Sequence, residues 1–593
     1  MPIDRRAVLR GAVLAGAGWL PPARGIAGDN RTAATPSELP SAIVIRSKGS
    51  GSERYNVALD SLRTYMVAHL EGYGLPGMTC SVADRDGFSA IINAGWSNVD
   101  EREAVRSDHL FQIGSISKSF ASICVLKAVS EGKVNLDDTL TGLLPDVPLS
   151  GQAISIRQLL SHTSGLAEDV PIFPLGGSGK LWTGYEPGAR FSYSNTGYVL
   201  LGAVLERLYG EPYEAIVERV VLTPLHMRET RGAIRVADVP HYAAGYWPFY
   251  SDRPIRQRGP LTVAYFTEFT KPSGCIAATA GDMSRYVQYL IQAGMGVGGP
   301  LLNDWAARQL TTPVTAAPVY GPTAEYAMGL GVVPIGEHRC LHHTGGMTAF
   351  SSAIHVDPTA GVGAFVSANA SVGDYRPRDV SYFACEIMRA ARERGARPLP
   401  PPIRHDDRVA DAIDFVASYR SDSGDLVTFR QRQAGLFCDF RGEDVAVEMK
   451  AEDAFLLRHR RFERLLLTFR REGGQPITAW WGETRFTKAG APTSKSQSAA
   501  PEALSNLAGY YSNNDPWAGR LMVFAQDDRL WLDGTKPLVP LADGSYRVGA
   551  DPSGCERVVF EARLNGRAHR LLFSGVVFDR DSSDIPNAWR KPG

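Results

Sequence analysis

The chain has 593 residues, 44% hydrophobic and 21% charged, and its 63 basic and 63 acidic side chains cancel. Such a length exceeds one hydrophobic core and predicts several domains. Balanced charge with no basic stripe argues against nucleic-acid binding, and no apolar run reaches the roughly eighteen residues of a membrane span.

The chain opens with Arg5-Arg6, a short apolar stretch from Gly11 to Leu20, then Pro21-Pro22 and small residues up to Ala27. A charged start, a brief apolar middle and a small-residue end predict an export signal over residues 1–27. The paired arginines make it a twin-arginine type, which implies a periplasmic or secreted bacterial protein. Residues 28–52 carry Ser, Pro and Gly without a sustained period and read as a flexible leader.

Residues 53–394 mix strands and helices. Met78 to Ala83, the turn at Asp86-Gly87, and Phe88 to Asn93 predict a hairpin. Phe120 to Val129 is apolar but for Ser122 and Lys127, as in a buried helix, with Gly132 where it would end. A further helix is expected from Thr196 to Tyr209, stopped by Gly210. Ala349–Val356 and Val362–Ala368 flank a turn and predict a second hairpin, hence a partly antiparallel sheet.

Proline-rich residues 395–405 and the Ser- and Pro-bearing stretch 488–503 read as linkers. They separate two small segments, 406–487 and 504–593, that resemble each other. Tyr419, Leu426–Phe429 and Leu436–Asp439 recur as Tyr511, Leu521–Phe524 and Leu530–Asp533, each about ninety residues on. Short β-branched and aromatic runs between Gly, Asp and Asn turns predict two small antiparallel, lipocalin-like β-barrels. The seven cysteines are widely spaced without a Cys-x-x-Cys pair, so metal and redox readings are weak and disulfide pairing stays open.

Three short motifs carry chemistry. In Gly114-Ser115-Ile116-Ser117-Lys118, positions three apart share a helix face, so Lys118 can reach the Ser115 hydroxyl. A serine needs a base to become a nucleophile, and a desolvated lysine among cations can lose its charge and serve. In Tyr193-Ser194-Asn195, a loop before a helix, a phenol can relay a proton and an amide can bind a substrate carbonyl. In His343-Thr344-Gly345-Gly346, opening the second hairpin, small residues leave room for a substrate backbone and an N–H for an oxyanion.

In this order the motifs resemble the class C β-lactamase, DD-peptidase and D-aminopeptidase superfamily, the penicillin-recognising serine hydrolases. Phe111-Gln112-Ile113-Gly114, Leu159–Leu166, Pro187–Phe191 and Pro224–Met227 add to the likeness, which covers about residues 55–390. The resemblance implies an α+β fold, an antiparallel sheet flanked by helices with a helical subdomain, and an acyl-enzyme route without cofactor or metal. Ser115 would be the nucleophile, with Lys118, Tyr193 and His343 catalytic. Asn195, Thr344, Gly345 and Gly346 would bind substrate, and the N–H groups of Ser115 and Gly346 would hold the oxyanion. Whether Lys118 or Tyr193 is the base stays open.

His343 stands where most β-lactamases carry lysine, so a carboxylate would be gripped only by a protonated imidazole. That favours a small peptide as substrate, by aminopeptidase or DD-peptidase-like chemistry. A carboxylesterase, a weak β-lactamase or a non-catalytic sensor of cell-wall fragments are the alternatives. His162 invites a Ser-His-Asp reading, but its stretch is mainly structural in the family. Oligomeric state is not legible.

Overall fold

The computed structural model describes residues 39–40, 42–46, 52–175, 178–409, 411–433, 435–491, 500–515 and 517–581. The expected export signal lies outside them. The chain divides into two compact units. The first comprises the described residues up to Ile172, with Leu181–Phe249 and Arg258–Ile403; the second joins Phe173–Lys180 and Tyr250–Gln257 to the residues from Arg404 on.

The strands of the first unit's large sheet are β1 (Ile43–Arg46), β2 (Gly77–Asp84), β3 (Ser89–Asn98), β4 (Thr315–Ala316), β5 (Glu325–Tyr326), β6 (Gly331–Ile335), β7 (His338–Gly346), β8 (Ser351–Asp357) and β9 (Val362–Ala368). They lie in the order β1-β3-β2-β9-β8-β7-β6-β5-β4, with Glu103–Ala104 paired to β3 off that row. Every pairing is antiparallel. The helices that matter most are α1 (Asn56–Tyr73), α2 (Ser117–Ser130), α3 (Asn195–Tyr209), α4 (Ala280–Gly294) and α5 (Arg378–Glu393).

Alternation along the strands divides the core in two. Val362, Ala364, Val366 and Ala368 of β9 pack with Met78, Cys80 and Val82 of β2 under α1 and α5. Phe365 faces the other way, with Ile354, Val356 and α4, into a second cluster that takes in α2 and α3. Each valine, isoleucine, methionine or phenylalanine among them, wholly buried, contributes about 1.5–3 kcal/mol. Sequestering both sheet faces explains why β2, β8 and β9 read as continuous apolar or small-residue runs.

Two readings need correction. Ile43–Arg46, expected inside a flexible leader, forms an edge strand in register with Ala90–Asn93; its β-branched run extends the sheet. His343–Gly346 does not open the hairpin of β8 and β9 but ends a strand of its own, β7, paired with β8. The 395–405 stretch is also anchored: Pro401 accepts a hydrogen bond from the Tyr65 hydroxyl at 2.8 Å.

The second unit contains two closed eight-stranded barrels, the first from Ser418 to Lys488 and the second from Gly509 to Arg580. Tyr419 and Tyr511 lie in the first strand of each, both wholly buried. Phenylalanines 415, 429, 455 and 469 fill the first barrel edge to face. Between the barrels, the Arg470 guanidinium lies 3.6 Å over the Trp531 ring and donates to Gln526 and Gly534. All seven cysteines are free and buried.

The first unit buries several histidines as neutral rings. Burial lowers His69 to about 4 and His355 to about 3. Unfolding returns each to its ordinary range near 6.5, so the unfolded chain binds their protons first. Stability is therefore full above about pH 6.5 and falls as pH drops towards 4, by up to about 1.4 kcal/mol per pH unit per histidine. Urea midpoints measured from pH 8 to 4 should show that fall. It should be shallower in His355→Asn, which keeps a donor for the Ser381 hydroxyl that His355 contacts at 2.8 Å.

Candidate active site

The site begins at a turn that only glycine suits. Gly114 adopts φ +54°, and a Cβ there would sit 2.7 Å from the Gly346 nitrogen. A short 3-10 turn, Gly114–Ile116, then leads into α2. Ser115 thus stands just ahead of the helix, half-buried, with Lys118 one turn on and wholly buried. Phe111-Gln112 pairs with Ala277-Ala278, and Ser117 Oγ accepts from the Ile276 N–H at 3.0 Å. These contacts fasten the turn to the segment before α4.

Lys118 Nζ meets three oxygens: Ser115 Oγ at 2.9 Å, Asn195 Oδ1 at 2.6 Å and the Ser273 carbonyl at 2.8 Å. An ammonium has three protons, so every donor is used. Burial nevertheless lowers the lysine from 10.5 to about 7, against the opposing charges of Asp169 and Glu168. The neighbours named here are acidic rather than the cations expected from the sequence; desolvation alone carries the shift. A neutral amine keeps two N–H bonds, to Asn195 and Ser273, and turns its lone pair to the Ser115 hydroxyl.

α3 starts at Asn195, capped by Ser194, whose Oγ accepts from the Gly197 N–H at 3.1 Å. The cap orients both flanking residues. Asn195 spends its amide inside the protein, Oδ1 on Lys118 and Nδ2 on Asp169 at 3.1 Å. It holds the lysine. The ring centre of Tyr193 lies 4.8 Å from Lys118 Nζ. Burial pushes the phenol far above its usual range, then Tyr320; a hydrogen bond to Ser115 works the other way. Tyr193 therefore keeps its proton near neutrality.

His343 is buried on β7. Its Nδ1 lies 2.6 Å from the Thr344 carbonyl, which can only accept, so Nδ1 carries the proton and Nε2 accepts from the Tyr326 hydroxyl at 3.2 Å. Burial and the Lys118 charge lower it to about 3. His343 is a neutral anchor, and a protonated grip on a substrate is not available to it. Pairing with β6 ends at Gly331↔His342, so residues 344–346 of β7 pair with β8 alone. Their small size serves close approach: a Cβ on Gly345 would collide with the Ile113 carbonyl.

Several participants escaped the sequence reading. The Ser273 carbonyl is a backbone atom and leaves no side-chain signature. His162, with φ +57°, accepts the Ser194 N–H on Nδ1 at 3.0 Å, while its carbonyl takes the Ser192 N–H at 2.8 Å. It thereby brackets Tyr193, whose ring centre is 4.4 Å away. It is a positioning residue, not part of a Ser-His-Asp set. His338 pairs with Asp357 at 2.7 Å, and His342 donates to the Ile354 carbonyl. Among the described residues no three His, Cys, Asp or Glu side chains gather as metal ligands.

A serine and a desolvated lysine, framed by an antiparallel sheet and a buried helix, define a serine hydrolase. The family model described as Beta-lactamase matches residues 62–383, more than half of the chain, and the chain belongs to that family. It is 24% identical over 397 residues to penicillin-binding protein 4* of Bacillus subtilis (61% of this chain, 84% of that protein). It is likewise 24% identical over 353 residues to protein flp of Staphylococcus aureus (57% of this chain, 68% of that one). The octameric penicillin-binding protein homologue from Pyrococcus abyssi shares the fold, with a TM-score of 0.51 at 20% identity, covering 72% of this chain and 99% of that one.

The contact between Gly345 and Ile113 makes a direct prediction. Gly345→Ala should destabilise the protein by about 1–3 kcal/mol, because the nucleophile turn must move to admit the methyl. Urea unfolding at pH 7 reads the change. A midpoint equal to wild type would show that the turn yields freely.

Proposed function

We propose that the protein is an exported serine hydrolase that cleaves an amide or ester through an acyl-enzyme on Ser115, with a small peptide as favoured substrate. The observation that carries this reading is the buried Lys118 amine, 2.9 Å from the Ser115 hydroxyl and lowered to about 7. Burial thus makes the free base accessible near neutral pH.

Neutral Lys118 takes the proton as Ser115 Oγ attacks the carbonyl carbon. Charge developing on the carbonyl oxygen meets the N–H groups of Ser115 and Gly346. Donors of this kind are worth about 2.7–4 kcal/mol each. The phenol of Tyr193 gives its proton to the leaving group and regains one from Lys118. Water, deprotonated by the same pair, then releases the acyl group. Lysine as the resting base fits the electrostatics, since Tyr193 is held protonated.

A relative named for binding penicillin favours an amide carbonyl as the electrophile. An ester or a β-lactam would enter the same chemistry. A purely binding role is disfavoured, because a desolvated lysine on a serine serves no binder. Export rests on the paired arginines and short apolar stretch at the start of the chain.

Intact mass after incubation with a fluorophosphonate, and separately with penicillin, tests the reading. Ser115 should carry the adduct and Ser115→Ala should carry none. The fluorophosphonate rate should climb with pH through about 7 and then level, and Lys118→Ala should lower it by about 10²–10⁴-fold. An adduct elsewhere, or none on folded protein, would overturn the assignment.

A further inference from the structure

A second phenol stands near Tyr193 and takes no part in the chemistry above. Tyr320 ends a short 3-10 turn, Pro318–Tyr320, and is half-buried. Its backbone is fixed on both sides. The N–H donates to the Ala317 carbonyl at 3.0 Å, and the carbonyl accepts from Arg378 Nη2 at 2.6 Å. The ring is held as well. It stacks on Tyr326 with centroids 6.0 Å apart, meets His342 edge-on at 5.8 Å, and lies 6.2 Å from both Phe191 and His343. These neighbours come from the segment before Tyr193 and from β5 and β7, which frame the site.

The hydroxyl, by contrast, has no hydrogen-bond partner among the described residues. Burial raises it above its usual range, and Tyr198 and Glu168 add to the effect, so Tyr320 stays a neutral phenol near pH 7. After burial, Tyr320 is the largest influence raising Tyr193, so the two phenols are electrostatic neighbours. A fixed oxygen with unspent lone pairs is preorganised to accept a hydrogen bond. Two other acceptors of the site are already spent: Asn195 Oδ1 holds Lys118, and His343 Nε2 takes the Tyr326 hydroxyl.

We propose that Tyr320 binds the leaving group of the substrate by accepting its N–H, and so selects secondary amides over esters. The inference rests on the acyl-enzyme reading of Ser115 and Tyr193. As Ser115 Oγ bonds to the carbonyl carbon and the C–N bond breaks, the nitrogen lone pair takes the Tyr193 proton. The N–H that the nitrogen already carries needs an acceptor, and the Tyr320 oxygen supplies it without exchanging a proton. An ester oxygen has no hydrogen to offer, and neither has the nitrogen of a β-lactam. A site built to hydrogen-bond an N–H discriminates against the analogue that lacks it.

The test compares kcat/KM for the p-nitroanilide and the p-nitrophenyl ester of racemic alanine, in wild type and in Tyr320→Phe. The hydroxyl bonds nothing among the described residues, so its removal spares the fold. The anilide-to-ester ratio should fall about five- to tenfold in the variant, the worth of one neutral hydrogen bond. A purely structural role would slow both compounds alike and leave the ratio unmoved. An unchanged ratio, or a wild type that does not cleave the anilide, would overturn the leaving-group contact while fluorophosphonate labelling still marks Ser115 as nucleophile. Failure of the fluorophosphonate to label wild type would instead overturn the nucleophile, and this inference with it.

Discussion

An ammonium taken out of water is the constraint on which the site depends. Burying a charge without partners is prohibitive, so the group must find hydrogen bonds or lose its proton. Lys118 does some of each. Its three acceptors come from three stretches of chain: the nucleophile turn, the first residue of α3 and the loop before α4. Moving any of them would leave a buried donor unmatched. The packing of α2 against α3 and of the 273–278 segment against α2 is thus also the tuning of a base.

Two buried bases in the same site end up far apart, Lys118 near 7 and His343 near 3. Lys118 has Asp169 and Glu168 opposing the effect of burial, and three acceptors that welcome its protons. His343 has only the Thr344 carbonyl favouring its proton and suffers the lysine's charge. Each imidazole nitrogen is already matched, one to the carbonyl and one to Tyr326. The same burial therefore makes a titrating base of one residue and a fixed strut of the other.

Much of this was legible in the residues. Two strand-like runs about the Asp86-Gly87 turn revealed the hairpin of β2 and β3, and an apolar stretch free of polar faces revealed α2. The Ser115–Lys118 spacing predicted their contact because a helix brings positions three apart together. The repeat around Tyr419 and Tyr511 announced two like barrels, since each tyrosine is buried in the first strand of its barrel. What stayed hidden depends on long-range approach. The strand at Ile43–Arg46 is four residues long and is defined by its partner, β3. The assignment of His343–Gly346 to its own strand depends on register with β8. Ser273 acts through a carbonyl that every residue possesses, and the Arg376 guanidinium packs on Gly346 from a turn 261 positions beyond Ser115.

The glycines at 114, 345 and 346 tie these observations together. The sequence offers Gly345 and Gly346 as room for a substrate, yet in the fold these two and Gly114 are where separate parts of the protein touch. Gly114 nearly meets the Gly346 nitrogen, Gly345 lies on the Ile113 carbonyl, and Gly346 lies under Arg376. A side chain at any of them would part the nucleophile turn from β7, or β7 from the arginine. The end of β7 is left without a partner from β6, so its backbone faces the site directly. Small residues here bring the nucleophile turn, the strand end and the Arg376 guanidinium into contact.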